Sequence, residues 1–194
     1  SGGPHSLIYA AENHNHAAEM LEEQVMAEIP PAEREAVRER VQFLNTVIGK
    51  MSGVVTDPAE IHAQGLARTT PEADRAFLVE AFNRILISRI QFDKFRRGLE
   101  VLEEKGDLLP FEEAKLYGHN ATHALAAYLG IVRGVERIAE LRTVPGAMDF
   151  LRAAFIEESG AALVRKYSRI DPLFTPEGYR WYANDLLVRM TNPY

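Results

Sequence analysis

The 194-residue sequence has no cysteine. That excludes disulfides and thiolate metal sites, and it fits a cytoplasmic location. No apolar run approaches the roughly 20 residues needed to cross a bilayer, so no membrane partner is expected. Positive charge is in the minority: 22 Lys and Arg stand against 28 Asp and Glu, a formal net charge of -6. With no basic stripe interleaved with aromatics, nucleic acid is not an expected partner either. The sequence also lacks internal repeats, low-complexity segments and a convincing linker. Its opening SGGPHS has no charged-then-apolar signal profile and reads as a tag remnant.

What is present suits a folded core. The chain is 46% hydrophobic and 26% charged, the balance of one globular domain. Only Ser6–Ala10 reads as a buried strand; helix signals dominate the rest. An amphipathic helix is expected over Ala17–Ile29, stopped by Pro30-Pro31, and a longer one over Ala32–Met51. Residues 52–70 read as a loop. Thr70-Pro71-Glu72 then has the form of an N-cap opening an apolar helix to Ile90, and one short helix is expected within residues 92–109. Further helices are expected from Pro110 to Gly134, from Pro145 to Tyr167, and from Thr175-Pro176 to Thr191. The reading is a mostly α, multi-helix domain with one short N-terminal strand. A lone strand is not a stable unit, so the chain reads as an excerpt of a larger protein.

The stretch EEAKLYGHNATHALAAYLG (112–130) carries the most chemistry. At about 100° per residue, Lys115, His119, His123 and Asn120 fall at roughly 0°, 40°, 80° and 140°, on one side of a helix. A wet surface strip is the plain reading of such a face. Against it, the helix is otherwise rich in Ala, Leu and Tyr, and buried polar groups need partners. A desolvated lysine becomes a general base as its pKa falls towards roughly 7–8. Asparagine N–H groups stabilise a developing oxyanion without metal, and histidine orients a hydroxyl or tunes the lysine. The set suits proton removal from an alcohol as hydride leaves its carbon, or the reverse on a carbonyl.

These residues resemble the Lys-x4-Asn-x2-His signature of the polyol-specific long-chain dehydrogenases (the mannitol dehydrogenase family), met by Lys115, Asn120 and His123. ALAAYLG, FIEESGAALVRKY (155–167) and VRMTNPY (188–194) look like runs of the mannitol-1-phosphate 5-dehydrogenase branch, and AAEN (10–13) is similar to the stretch closing the family's nucleotide domain. The matches lie in family order over nearly the whole chain. The resemblance implies that Lys115 is the general acid/base, that Asn13 and Asn120 polarise the substrate oxygen, and that His123 orients substrate or lysine. It implies NAD or NADP as cofactor, no metal, and a polyol or keto sugar, phosphorylated or free, as small-molecule partner. On that basis residues 1–12 are the tag remnant and the end of a preceding Rossmann domain, and residues 13–194 the catalytic domain. The chain departs from the pattern in having no G-x-G-x-x-G after a strand. It also carries NTVIGKMSGVV where relatives have a DRIVP-like motif. By itself such a chain is expected to be inactive.

Other candidates are weaker. His119, Arg89 and Arg97 are assigned to substrate binding, although surface charge is the plain reading of the arginines. His14 and His16 stand two apart, about 200° round a helix, which suits polar residues at a helix start better than joint metal ligands. His5 and His62 read as loop residues, Glu157-Glu158 as a solvated face, and Trp181 and Tyr182 as core. The alternative function is a non-catalytic helical domain that binds sugar or protein without redox activity. Oligomeric state is open.

Overall fold

The computed structural model describes residues 4–12, 14–81, 84–95 and 98–193. Ser6–Ala10 is a strand (β1), and it does not stand alone. The chain continues through helix α1 (Ala17–Glu28) and the short α2 (Arg34–Arg38) into strand β2 (Val41–Ile48). β2 lies parallel to β1, with Ser6 opposite Val41 and Ala10 opposite Asn45. The long helix expected over 32–51 is therefore wrong beyond Arg38. Leu44 to Val47 are four consecutive buried residues. A strand covered on both faces buries successive residues rather than alternate ones, here including the polar Asn45 and Thr46, and its apolar positions Val41, Leu44, Val47 and Ile48 also match helical spacing. The Asn45 side chain holds the crossover: its Oδ1 accepts from Ala18 N at 2.8 Å, and its Nδ2 donates to Glu19 at 2.7 Å. That supplies the cap α1 lacks from His16, whose backbone is left-handed at φ 62°.

The middle of the chain departs furthest from expectation. Residues 52–70 hold strand β3 (Ser52–Val55) and helix α3 (Pro58–Ala63) rather than a loop. No helix spans 70–90. Thr70 closes a turn by accepting from Ala73 N at 3.1 Å, and the apolar residues form β4 (Ala76–Val79) and β5 (Ile85–Ser88). Strand β6 (Leu102–Lys105) takes the place of the next expected helix. One sheet has the order β1-β2-β5-β6, with β2 and β5 antiparallel and β5 and β6 parallel; β3 and β4 form a separate antiparallel pair. β3 to β6 are each four residues long, a length at which apolar periodicity does not separate strand from helix.

The C-terminal half follows the helical expectation. α4 (Leu109–Glu113) runs through a π turn (114–120) into α5 (Ala121–Arg133), which Gly134 ends in left-handed conformation at φ 70°. α6 (Ala147–Ala153) passes through a second π turn (154–160) into α7 (Ala161–Lys166). α8 (Pro176–Met190) is capped by Thr175, whose Oγ1 accepts from Gly178 N at 3.0 Å. The protein is thus about 51% helical with six strands among the described residues. The expected lone strand was an undercount.

Phe155, Phe174 and Tyr179 are the largest fully buried side chains. Both π turns close on them. A Cβ at Gly118 would lie 2.5 Å from the Tyr179 hydroxyl and 2.7 Å from the Phe155 ring, and one at Gly160 2.7 Å from the Tyr179 ring. Backbone reaches the aromatic core here because a side chain is missing. Gly118→Ala is expected to lower stability by about 1–3 kcal/mol through overpacking. That outweighs the roughly 1 kcal/mol helical advantage of alanine. The readout is the urea midpoint; an unchanged midpoint would show that this crossing has slack.

Candidate active site

Lys115, His119 and Asn120 lie on the first π turn, and its geometry changes how they meet. In an α-helix residue i+5 stands about 140° away from residue i. Hydrogen bonding from i to i+5 widens the turn, so residue i+5 comes round closer to the face that residue i occupies. Lys115 and Asn120 are such a pair, and together they line a small cavity of about 20 Å³ with Glu12, His14 and Glu112. Lys115 also lines a larger cavity of about 150 Å³, where it joins buried His119 and residues of β2, β5 and α8. A third cavity, of about 230 Å³, places Lys115 with Ala11, Glu12 and Lys50. One lysine is shared by three adjoining spaces.

The remaining expected residues divide. His123 is half-buried one turn beyond His119; their rings stack with centroids 6.2 Å apart and planes 23° apart, and His123 lines none of these cavities. Asn13 and Arg97 lie outside the described residues. Arg89 is exposed and lines none of the three cavities, whereas Arg84 lines the one of about 150 Å³. The reason is that the segment is a strand: Arg84 and Arg89 flank β5, roughly 16 Å apart at about 3.3 Å per residue, with an odd separation that turns them to opposite faces. Trp181 is not core. It is 70% exposed and lines the 150 Å³ cavity with Asp185 and Arg189. Its membership was hidden because α8 alone does not say what its exposed face borders. His62 belongs to α3 rather than a loop, His5 stacks on Phe92 at 4.2 Å, and Glu157 and Glu158 are exposed as expected. His14 lines the smallest cavity, and no group of three or more metal-ligating side chains occurs among the described residues.

Electrostatics single out the lysine. Burial alone pushes the Lys115 ammonium below its ordinary value. Burial, reinforced by His123, Arg189 and Lys115, pushes His119 down to about 4, so its ring is neutral at pH 7. Burial raises the Glu112 carboxyl. The fixed charges around them are tied by geometry. Arg189 grips Glu80 with two bonds, at 3.0 and 2.6 Å, and donates to the Gly49 carbonyl at 2.6 Å. Arg84 pairs with Glu103, and Lys105 bridges Glu103 and Asp171 at 2.8 Å each. The Arg84 guanidinium holds Glu103 down at about 2. Chemically, the site offers a lysine whose ammonium form burial disfavours, an amide side chain, a neutral imidazole and pre-paired ions. Such groups are chemically suited to proton transfer to or from a polar substrate.

No protein-family model matches the chain. Its fold is that of one portion of the polyol dehydrogenases. Mannitol 2-dehydrogenase of Pseudomonas fluorescens, solved as a ternary complex with NAD and D-mannitol, superposes with a TM-score of 0.69 at 20% identity; the match covers 97% of this chain and 37% of that one. A D-sorbitol dehydrogenase in substrate-free form gives a TM-score of 0.60 at 20% identity over 96% of this chain and 37% of its own. The chain therefore spans little more than a third of these enzymes.

His119 makes a testable contribution to stability. As pH falls, the unfolded chain takes up a proton near the ordinary 6.5 while the folded ring waits until about 4. Stability is therefore lost as pH drops through that window and regained as it rises. NMR titration should place the folded ring near 4, and His119→Gln should flatten the stability slope across the window. A folded midpoint near 6.5 would show that water reaches the ring.

Proposed function

We propose that this chain is the C-terminal, substrate-binding and catalytic portion of an NAD(P)-dependent polyol dehydrogenase. It would interconvert a sugar alcohol of the mannitol or mannitol 1-phosphate class and its keto sugar. The observation that carries the reading is the desolvated Lys115, placed where three cavities meet beside Asn120 and His119. The fold likeness to two polyol dehydrogenases supports it.

In the oxidising direction Lys115 Nζ, unprotonated, accepts the proton of the reacting hydroxyl as the carbinol C–H leaves with its electron pair. In reduction the ammonium returns that proton to the forming alkoxide. Asn120 amide N–H groups donate to the same oxygen, and Asn13 is assigned as its counterpart on the family resemblance. These donors lower the energy of the oxyanion-like transition state without a metal. Neutral His119 orients a substrate hydroxyl, and His123, stacked on it, holds that ring in place. Arg84 takes the cavity position that Arg89 does not reach.

The residues here do not fit a dinucleotide. β1 runs on into Ala11-Glu12, no glycine-rich turn follows it, and the sequence has no G-x-G-x-x-G. The nicotinamide that accepts the hydride is assigned to a nucleotide-binding domain preceding residue 13, and the 194-residue chain is expected to be inactive alone.

The test is a screen of the protein carrying both portions for NAD- and NADP-linked oxidation of D-mannitol, mannitol 1-phosphate and D-altronate. Lys115→Ala should lower turnover on the accepted substrate by about 10²–10⁴-fold, the usual worth of a general base, with the far-UV circular dichroism unchanged. Near-wild-type turnover at neutral pH would overturn the assignment.

A further inference from the structure

We propose that Trp181 is a specificity-determining residue, an apolar platform at the rim of the larger cavity on which the C–H face of a polyol chain lies. The inference rests on the polyol reading above and deepens it.

Three observations carry it. Trp181 is the sole tryptophan of the chain, and at 70% exposure most of its indole meets water, although Tyr179 two residues away is fully buried. It nonetheless lines the cavity that holds Lys115 and His119. It also begins a row along α8: Trp181, Asp185 and Arg189 are spaced i, i+4 and i+8, so each steps about 6 Å along one face, and all three border the same space. Asp185 and Arg189 are joined at 3.5 Å. The row therefore offers one apolar surface followed by paired charges.

A sugar alcohol matches that sequence of surfaces. Each carbon bears a hydroxyl and at least one C–H, so an extended chain has C–H hydrogens on part of its surface and hydroxyls on the rest. The C–H hydrogens are polarised by the neighbouring oxygen and carry partial positive charge, which the negative face of an indole attracts. Laid on Trp181, the chain covers apolar area that is otherwise wet and turns hydroxyls towards Asp185, Arg189 and His119. Configuration at each carbon decides which side its C–H takes, so the platform discriminates between stereoisomers as well as between lengths.

The single tryptophan makes the test direct, because all indole emission comes from this rim. The 194-residue chain is titrated with D-mannitol and with D-sorbitol. Tryptophan emission and, independently, saturation-transfer NMR of the polyol are followed. The expected result is a saturable emission change at the concentration where NMR shows binding. Trp181→Ala should weaken NMR-detected binding about tenfold, while Trp181→Phe, which keeps an aromatic face, should stay within about threefold. Circular dichroism should be unchanged in both, since the residue is outside the core. Wild-type binding with flat emission, or binding that survives Trp181→Ala undiminished, overturns the platform and leaves the polyol reading standing. A wild-type chain that binds neither polyol by NMR overturns the platform, while the polyol reading is decided by the turnover screen of the protein carrying both portions.

Discussion

The half-burial of Lys115, which disfavours its charged form, depends on how the rest of the structure presses its helix inward. Lys115 cannot be desolvated from an ordinary surface helix, since its flexible stem would carry the charge back to solvent. Here the helix itself is pressed inward. Gly118, three residues on, brings the backbone against the Tyr179 hydroxyl and the Phe155 ring. The π turn around it takes up the extra residue and brings Asn120 round closer to the face that Lys115 occupies. Tyr179 in turn fits because Gly160, in the second π turn, leaves room for its ring, and Ser159 lies 3.2 Å from its hydroxyl. Two widened turns and one buried tyrosine thus fix where the amine sits.

The sheet enters the site through Arg189. Its guanidinium, near the end of α8, reaches the Gly49 carbonyl and both Glu80 oxygens, while Glu80 also accepts from Met51 N at 2.8 Å. The segment leaving β2 and the segment leaving β4 are thereby fastened to the same helix that carries Asp185 and Trp181. Removing either partner of such a part-buried pair leaves a charge without its counterpart, which costs more than an exposed pair ever returns. The cavity therefore has walls from two layers, β2 and β5 on the sheet and α4, the first π turn and α8 among the helices, held in register by one bidentate ion pair.

The legibility of all this was uneven for physical reasons. Helices with explicit punctuation were readable: Pro110 to Gly134 and Thr175-Pro176 onward have caps, stops and enough turns for a 3.6-residue period to declare itself. β2, β4 and β5 were not. β4 and β5 are four residues each, and the apolar positions of the eight-residue β2 recur at helical spacing, so all three satisfy helical and extended spacing alike and only pairing with a neighbour decides. The chemistry of Lys115, His119 and Asn120 was legible as residue types on one helix. The π turn that makes Lys115 and Asn120 neighbours was not, although a glycine inside a helical run is a flag worth following. Arg89 misled because its distance from the cavity depends on strand geometry. Trp181 was missed because a helix wheel shows which residues are exposed and never what they face.

The distribution of proton affinities shows what the arrangement accomplishes. Most groups whose affinity is shifted around the larger cavity move away from neutrality. Arg189 holds Glu80 below the ordinary carboxylate range, and Arg84 holds Glu103 at about 2. Those carboxylates raise their guanidinium partners in return. Burial pushes Tyr179 up to about 12 and Tyr182 also upward, and it takes His119 down to about 4. Across the physiological range these groups keep one protonation state and act as fixed dipoles and charges. Lys115 and Glu112 alone among them are shifted towards neutrality, the amine downward and the carboxyl upward, and they stand one turn apart on the same helical run. Environments that hold most groups in one protonation state and shift one lysine downward are the pattern expected around an acid–base group, and here that pattern singles out Lys115 as the candidate.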